Sequence, residues 1–269
     1  MDLDVEMNIL LTGHKGFIGQ HMLVALEKEG HNVSTFDWDD GNMPSVMEQD
    51  WVIHMGAISS TTERDVEKVM RQNYDFTRQL YGSCKTYGVN FQFSSSASVY
   101  GLVSSFREDA LVDPRTPYAW SKYLSERYIE RHPMGARTQI FRYFNVYGPE
   151  GEEHKGDQAS PYHKFTQQAK LNGKIKIFDM SNLYYRDFIH VSEIVQYHLM
   201  FMKTEQSGLF NLGTGTTKSF LEVATEIGKK YPSVVNYTPM PEELKNSYQK
   251  YTRADMTKTK EALGETKVY

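Results

Sequence analysis

Tyr118 and Lys122, in Tyr118-Ala-Trp-Ser-Lys122, stand four residues apart, a spacing that puts both side chains on one face of a helix, one turn from each other. An ammonium held beside a phenol favours the phenolate and lowers a pKa that is ordinarily about 10. A phenol tuned in this way can take the proton of an alcohol near neutral pH. A further hydroxyl comes from Phe91-Gln92-Phe93-Ser94-Ser95-Ser96, a strand-like run that ends in consecutive serines before Gly101. In a parallel sheet that end is the edge where open α/β folds bind ligands, and a serine there can hold the oxygen that a tyrosine deprotonates. Each pattern also occurs without chemistry, in ordinary helices and Ser-rich turns, so the surrounding segments decide.

The glycines of Thr12-Gly13-His14-Lys15-Gly16-Phe17-Ile18-Gly19 supply the binding half of such a site. They follow Asn8-Ile9-Leu10-Leu11, an apolar run of strand length, and open into Gln20 to Gly30, which has helical periodicity. Strand, glycine turn and helix form the context of a dinucleotide fingerprint. The glycines permit a tight turn and close approach of a pyrophosphate, and the helix N-terminus presents unpaired N–H groups to it. The spacing is G-x-x-G-x-x-G rather than G-x-G-x-x-G. Asp37 closes the next apolar run, Asn32 to Phe36, eighteen residues after Gly19. An acid there accepts from the ribose hydroxyls of NAD, whereas NADP is favoured by a nearby cation. Trp38, Asp39 and Asp40 follow without a Lys or Arg, so NAD is the expected cofactor. NADP is the alternative, and His14 and Lys15 are the residues that would bring it in.

Glycine turn, acid, serine strand end and Tyr-x-x-x-Lys occur in one order across nearly the whole chain. In this the sequence resembles the extended short-chain dehydrogenase/reductases, the NAD-dependent epimerase/dehydratase family that acts on nucleotide sugars. The resemblance implies Ser96, Tyr118 and Lys122 as a catalytic triad. It implies cofactor contacts from Gly13, Gly16, Phe17, Ile18, Gly19 and Asp37, and from Tyr143 beside Tyr118 and Lys122. Asn73, in Gln72-Asn73-Tyr74, matches a helix asparagine of that family that is structural or part of a proton relay.

A narrower likeness is to the branch that epimerises ADP-linked glycero-manno-heptoses at C6. It rests on Ser59-Ser60-Thr61-Thr62-Glu63, and on Phe141 to Pro149 (Phe-Arg-Tyr-Phe-Asn-Val-Tyr-Gly-Pro) followed by His154-Lys155-Gly156. Arg186-Asp187-Phe188 and Phe210-Asn211-Leu212-Gly213-Thr214-Gly215 add to it. Leu244-Lys245, Tyr248-Gln249, Thr252, Ala254 and Asp255 continue the match. This likeness implies Lys155 as a second acid/base opposite the tyrosine, and substrate contacts from Ser96, Asn145, Lys155, Arg186 and Tyr248. Judged by its charged neighbours alone, Lys155 is a solvated cation among Glu150, Glu152 and Glu153.

The chain departs from that pattern in a few places. Only thirteen residues separate Asp37 from Trp51-Val52-Ile53-His54, where family members place another strand and helix against the adenine. One strand is therefore expected to be absent and the adenine pocket more open. Ser247 stands where the heptose epimerases have an arginine, one residue is inserted before His154, and the chain stops at Tyr269, short of the family's final helix.

Composition agrees with an enzyme of this type. The 269 residues suffice for one α/β fold with a substantial core. The expected architecture is a Rossmann-type parallel sheet with helices on both faces, over 1–147 with a return at about 187–215. A smaller C-terminal substrate-binding lobe would come from 148–186 and 216–269. Helices are expected over 62–87, 116–131, 160–171 and 191–203, with a strand at 175–178 and a loop from Gly148 to Gly156. A mean hydropathy of -0.57 without a long apolar run argues against a membrane span. Met1 to Glu6 is acidic, so no signal peptide is expected. A net charge of -4 without a basic stripe gives no support for nucleic-acid binding. Cys84 is the sole cysteine and reads as a small buried apolar residue in a reducing, cytoplasmic setting. The nine histidines show no zinc-like spacing, so no metal is implied. The family resemblance further implies a homo-oligomer.

These parts suggest how a carbinol centre is inverted. Direct removal of its C–H proton leaves an unstabilised carbanion. Oxidation to a ketone with hydride passing to a nicotinamide, then return of the hydride to the opposite face, avoids that carbanion. Proton donors on both faces suit this better than one, and Tyr118 and Lys155 are the candidates. A 4,6-dehydratase would need a carboxylate after the strand-end serine, where this chain has Ala97-Ser98-Val99. A 4-epimerase could work with Tyr118 alone. A non-catalytic cofactor sensor would not need Ser, Tyr and Lys together.

Overall fold

The computed structural model describes residues 5–242 and 249–264. The chain begins as alternating strand and helix: β1 (Asn8–Thr12), α1 (Phe17–Lys28), β2 (Asn32–Phe36), β3 (Trp51–His54), α2 (Val66–Val69), α3 (Phe76–Tyr87), β4 (Asn90–Ser96), α4 (Pro117–Arg131) and β5 (Thr138–Tyr143). It continues through β6 (Asn145–Tyr147), α5 (Pro161–Asn172), β7 (Lys174–Phe178), β8 (Tyr185–Arg186), β9 (Phe188–His190) and α6 (Val191–Met202). Next come β10 (Gly208–Leu212), β11 (Lys218–Ser219), α7 (Phe220–Lys230) and β12 (Val234–Thr238). Six strands form one sheet in the order β10-β5-β4-β3-β1-β2, with every neighbouring pair parallel.

The period of two along each central strand decides which helices cover which face. Ile9, Leu11, Trp51 and Ile53 point to one side and pack on Met22 and Leu26 of α1 and Val195 and Met202 of α6. Leu10, Val52, Phe91 and Phe93 belong to the other side, with Leu80, Tyr81 and Cys84 of α3 and Ile129 of α4. Cys84 is fully buried, and burial pushes its thiol up to about 12. Past β6 a second apolar cluster joins Phe165 and Ala169 of α5, Ile175 and Ile177 of β7, and Val223 and Ile227 of α7, beside the parallel pair β7–β12. The chain returns to the main sheet through α6 and β10, which lies next to β5.

Two stretches test the sequence-based expectation, and one of them differs from it. Residues 38–50 contain one 3₁₀ turn (Trp38–Asp40) and no strand, so the sheet ends at β2, as the short spacing implies. The helix expected from 62 begins only at Val66, capped by Asp65 accepting from Lys68 N. It then passes through a π-helical turn, Met70–Asp75, before α3. That extra residue per turn swings Asn73 inward, a rotation that simple helical periodicity does not anticipate.

Two histidines are buried within hydrogen-bond chains that require them neutral. Thr77 Oγ1 donates to Asn73 O, so it accepts from His54 Nε2 at 2.7 Å, leaving His54 Nδ1 to accept from Thr12 Oγ1 at 2.6 Å. His198 Nδ1 donates to Gln92 Oε1 at 2.6 Å, and its Nε2 accepts from Tyr143 at 2.5 Å. These tautomers follow from the fixed partners. Burial lowers both pKa values to about 3; for His54 the charge of Lys122 adds to it. The unfolded chain therefore binds protons that the folded one excludes. Stability from this source is complete above about pH 6.5 and declines as pH falls toward about 3. The urea midpoint should drop between pH 7 and pH 5.5 by the equivalent of roughly 1 kcal/mol per histidine. A His198→Gln variant that keeps the full acid slope would show that His198 does not contribute to it.

Candidate active site

The three serines that end β4 have different neighbours, and these separate their roles. Ser94 Oγ lies 2.7 Å from the Tyr143 hydroxyl, and Ser95 donates to Glu126 Oε1 at 2.5 Å. Ser96, half-buried at the strand end, accepts from Ser98 N at 3.2 Å and lies beside the Tyr118 phenol. Of the three, Ser96 is the one that reaches the cleft.

Opposite it, α4 starts cleanly because Thr116 caps Ala119 N at 3.1 Å and Pro117 occupies the first turn, where its missing N–H costs nothing. Tyr118, Lys122 and Glu126 then recur every four residues along one face. Glu126 is 1% exposed and holds the guanidinium of Arg142 on β5 through two bonds of 3.0 and 2.7 Å. Lys122 Nζ donates to Ser94 O at 2.7 Å and sits 4.8 Å from the centre of the Phe93 ring and 5.9 Å from that of Tyr118. The first turn is braced from the side. Asn73 donates to Ser121 Oγ at 3.0 Å, and Ser121 donates to Tyr118 O at 2.7 Å. The remaining groups of the Asn73 amide bind Ile58 N and Ile58 O, so this asparagine is a clamp between the loop after β3 and α4.

The electrostatics of the pair differ from the sequence-based expectation. Burial raises the Tyr118 phenol above its ordinary value, and the bond with Ser96 only partly offsets this. Burial lowers Lys122 to about 7, against the opposing pull of Glu126. The reason is geometric: the ammonium aims at the Ser94 carbonyl rather than the phenol oxygen. As pH rises through about 7 Lys122 loses its proton, while the raised phenol keeps its own.

The glycine turn is packed as a phosphate cradle requires. A side chain at Gly19 would place its first carbon 2.0 Å from Gly13 O, and one at Gly13, where φ is +78°, would lie 2.5 Å from Gly56 N. No side chain caps the start of α1 at Gly16, so the first N–H groups of the helix, from Phe17 to Gly19, stay available for an anion. At the end of β2 a cavity of about 340 Å³ is lined by Gly13, Asp37, Trp38, Gly56, Ile58 and Phe76, among others. An acid at the mouth of a cavity, beside a helix start with unpaired N–H groups, has the features that a dinucleotide requires.

Other predicted residues occupy the rim. Phe17 is buried, and Lys155 Nζ stands 5.0 Å from the centre of its ring. Lys155 lies in a 3₁₀ segment, Glu153–Gln158, not in open loop, and is not a solvated cation. It pairs at 3.3 Å with Glu152, whose fully buried carboxylate also accepts from Ser160 N and Ser160 Oγ. Among the described residues no hydrogen bond or ion pair joins Lys155 to Ser96, Tyr118 or Lys122. Thr61 donates to Gln158 Oε1 at 3.0 Å, which brings the Ser-Ser-Thr-Thr-Glu and His-Lys-Gly segments together. Asn145 opens β6 with an exposed side chain. Ile18 packs against the cluster around Phe141. Arg186 donates to the carbonyls of Tyr185 and Gln249 and lies 5.5 Å from the Phe220 ring. Leu244, Lys245, Ser247 and Tyr248 fall outside the described residues.

Tyr143 points its hydroxyl inward. Its hydroxyl is used internally, between Ser94 and His198, so it backs the site and presents no free polar group to a cofactor. Glu126, Arg142, Glu152 and Gln158 were missed. For Glu126 the signal existed, since it extends the four-residue stripe of Tyr118 and Lys122. Arg142 and Glu152 carry no local pattern that marks them as buried.

Residues 9–213 match the NAD dependent epimerase/dehydratase family. The chain is 33% identical, over 290 aligned positions covering 94% of it and 91% of the relative, to ADP-L-glycero-D-manno-heptose-6-epimerase of Brachyspira hyodysenteriae. The crystal structure of the Helicobacter pylori ADP-L-glycero-D-manno-heptose-6-epimerase shares its fold, with a TM-score of 0.85 at 22% identity over 100% of this chain and 93% of that one. The UDP-glucose 4-epimerase of Thermotoga maritima, solved with UDP-glucose, has a TM-score of 0.83 at 28% identity over 98% and 94%.

The buried ion pair gives a direct test of how α4 is held. Glu126→Ala leaves the Arg142 guanidinium buried without its counter-charge and should cost about 3–5 kcal/mol. The double change Glu126→Met with Arg142→Met should cost far less, because neither charge remains. Urea unfolding of the three proteins decides this, and equal losses for single and double variants would contradict it.

Proposed function

Because the chain belongs to the NAD dependent epimerase/dehydratase family, we propose that it is a nucleotide-sugar epimerase using NAD, and specifically an ADP-glycero-manno-heptose 6-epimerase. The observation that carries this reading is the meeting of Ser96 and Tyr118 above buried Lys122 at the carboxyl edge of the parallel sheet, where ligands of open α/β folds bind. A bound nicotinamide would supply reversible hydride transfer, taking hydride from the carbinol carbon and returning it to the ketone.

The chain's own residues manage protons and position. Ser96 holds the substrate oxygen, and Tyr118 exchanges its proton during the hydride transfer at one face of the carbinol carbon. Lys122, when protonated on Nζ, supplies positive charge that favours the phenolate. Asp37 accepts from the ribose, and the N-terminus of α1 faces the pyrophosphate. Asn145 contacts the sugar and Arg186 the nucleotide sugar, and the family likeness adds Tyr248 to them. Lys155, held by Glu152 beside Phe17, is the acid/base for the opposite face. The heptose assignment draws on the Brachyspira relative and on the contact of Thr61 with Gln158, which joins the segments most specific to that branch.

A 4-epimerase is the second reading. It is favoured by the likeness to the Thermotoga enzyme and by the lack of a contact between Lys155 and Tyr118. A dehydratase is disfavoured because Ala97-Ser98-Val99 provides no carboxylate next to Ser96.

Tyr118→Phe keeps the ring and deletes the base. It should fold, bind NAD and lose at least about a hundredfold in turnover; near-normal turnover would remove Tyr118 from the mechanism. Lys155→Met separates the two readings, with interconversion of ADP-linked heptoses followed by NMR in deuterated buffer. The 6-epimerase reading expects a sharp loss of rate with cofactor binding intact, and a rate close to that of the unaltered protein would favour tyrosine-only chemistry. Epimerisation of a UDP- or GDP-hexose in place of ADP-heptoses would overturn the heptose assignment and keep the broader one.

A further inference from the structure

We infer that Asp40 sets the NAD preference of this chain by holding the Lys15 ammonium away from the ribose 2′ position that Asp37 marks. The inference rests on the reading that Asp37 receives the ribose of the cofactor. Lys15 lies inside the glycine turn, and its backbone N–H faces Asp37 Oδ2 at 3.4 Å, so its side chain starts from the place where a 2′-phosphate would enter. A free cation there would meet that phosphate and favour NADP.

The side chain is not free. Lys15 Nζ donates to Asp40 Oδ1 at 2.8 Å. The other oxygen of the same carboxylate accepts from Asp37 N at 2.5 Å. Asp37 Oδ1 in turn accepts from Trp38 N at 2.8 Å, closing the 3₁₀ turn Trp38–Asp40. One carboxylate therefore fixes the cation and also orients the backbone that carries the ribose acid. Their mutual bond holds Lys15 above and Asp40 below their usual proton affinities, so both stay charged through the neutral range. With Lys15 neutralised in this way, Asp37 and Asp39 leave the mouth of the cavity net negative. Lys68, the cation that lines the cavity, is likewise tied, to Glu63 at 3.2 Å. The shortened 38–50 segment makes this arrangement possible: it places Asp40 three residues beyond Asp37 in a tight turn rather than in a strand leading away.

Asp40→Asn tests the idea, because the amide oxygen can still accept from Asp37 N while the charge is lost. The full-length chain is dialysed against an equimolar mixture of NAD and NADP, and the retained ratio is counted by native mass spectrometry. Asp40→Asn should shift that ratio toward NADP by roughly tenfold, the scale of one hydrogen bond to a charged group. Lys15→Met should not shift it toward NADP, and Asp40→Asn combined with Lys15→Met should cancel the gain. Asp40→Ser, also able to cap the turn, replaces Asp40→Asn should the latter unfold. An unchanged ratio in a folded Asp40 variant, or a gain that survives in the double variant, overturns the inference. Retention of NADP over NAD by the unaltered chain overturns the NAD reading itself, and retention of neither overturns the cofactor assignment at Asp37. Both are read separately from the effect of Asp40.

Discussion

The position of α4 depends on one buried ion pair. Glu126 and Arg142 are both within 4% of full burial, and each needs the other because an isolated charge in that place would be very costly. Glu126 also accepts from Ser95, so the same carboxylate ties α4 to both β4 and β5. The helix is then locked in rotation as well as distance, and residues one and two turns earlier have no freedom to choose another face. Lys122 comes to rest on the Ser94 carbonyl and Tyr118 beside Ser96. Arg142 continues the constraint outward: it lies 4.6 Å from the Tyr100 ring, whose hydroxyl binds Asn211 on β10. A strong, directional pair in the core thus fixes the geometry of a weaker, reactive pair at the edge.

That rigidity has an electrostatic consequence. Burial disfavours charge on both members of the reactive pair, raising the phenol and lowering the ammonium toward about 7. A lysine on the surface would stay protonated far above neutrality and would not exchange its proton within the working range. Here the Lys122 ammonium titrates at about 7, so near neutral pH its charge, and with it the support for a phenolate at Tyr118, depends on pH. Behind it, Ser94, Tyr143, His198 and Gln92 form a fully paired, neutral chain. Their protons are all committed, so no neighbouring group competes for the one that matters.

Much of this was legible in the sequence because it follows short periods. The continuous apolar runs Ile9-Leu10-Leu11 and Trp51-Val52-Ile53 mark strands covered on both faces, and Tyr118 and Lys122, four residues apart, share one helix face. Residues whose meaning comes from partners far along the chain were not legible. Arg142 looks like any charged strand residue until Glu126 is opposite it. The hydroxyl of Tyr143 finds its partner in His198, 55 positions away. Asn73 depends on a π turn, and no local composition signals that one extra residue will be accommodated there. Gln158 acquires its role only when the loop carrying Thr61 folds over it. Lys155 is the intermediate case: its motif was visible, but its pairing with buried Glu152 was hidden among three similar glutamates.

The missing edge strand shows how such a fold absorbs a deletion. With β2 as the last strand, nothing beyond it supports the adenosine side of the cavity through sheet pairing. The chain closes that side with side chains. Phe36 stacks on Phe76 at 5.3 Å, and the Trp38 ring meets Phe76 edge-on at 5.8 Å. Val46, 2% exposed, plugs the core that a longer segment would otherwise cover. Trp38 itself keeps 39% exposure, so it walls that side without sealing it. An aromatic wall of this kind offers stacking area to any purine and little discrimination between its edges. Fixed charge at the cavity mouth comes instead from the Asp37–Trp38–Asp40 turn. The polar bonds of that short turn hold the geometry that a longer strand and helix would otherwise have supplied.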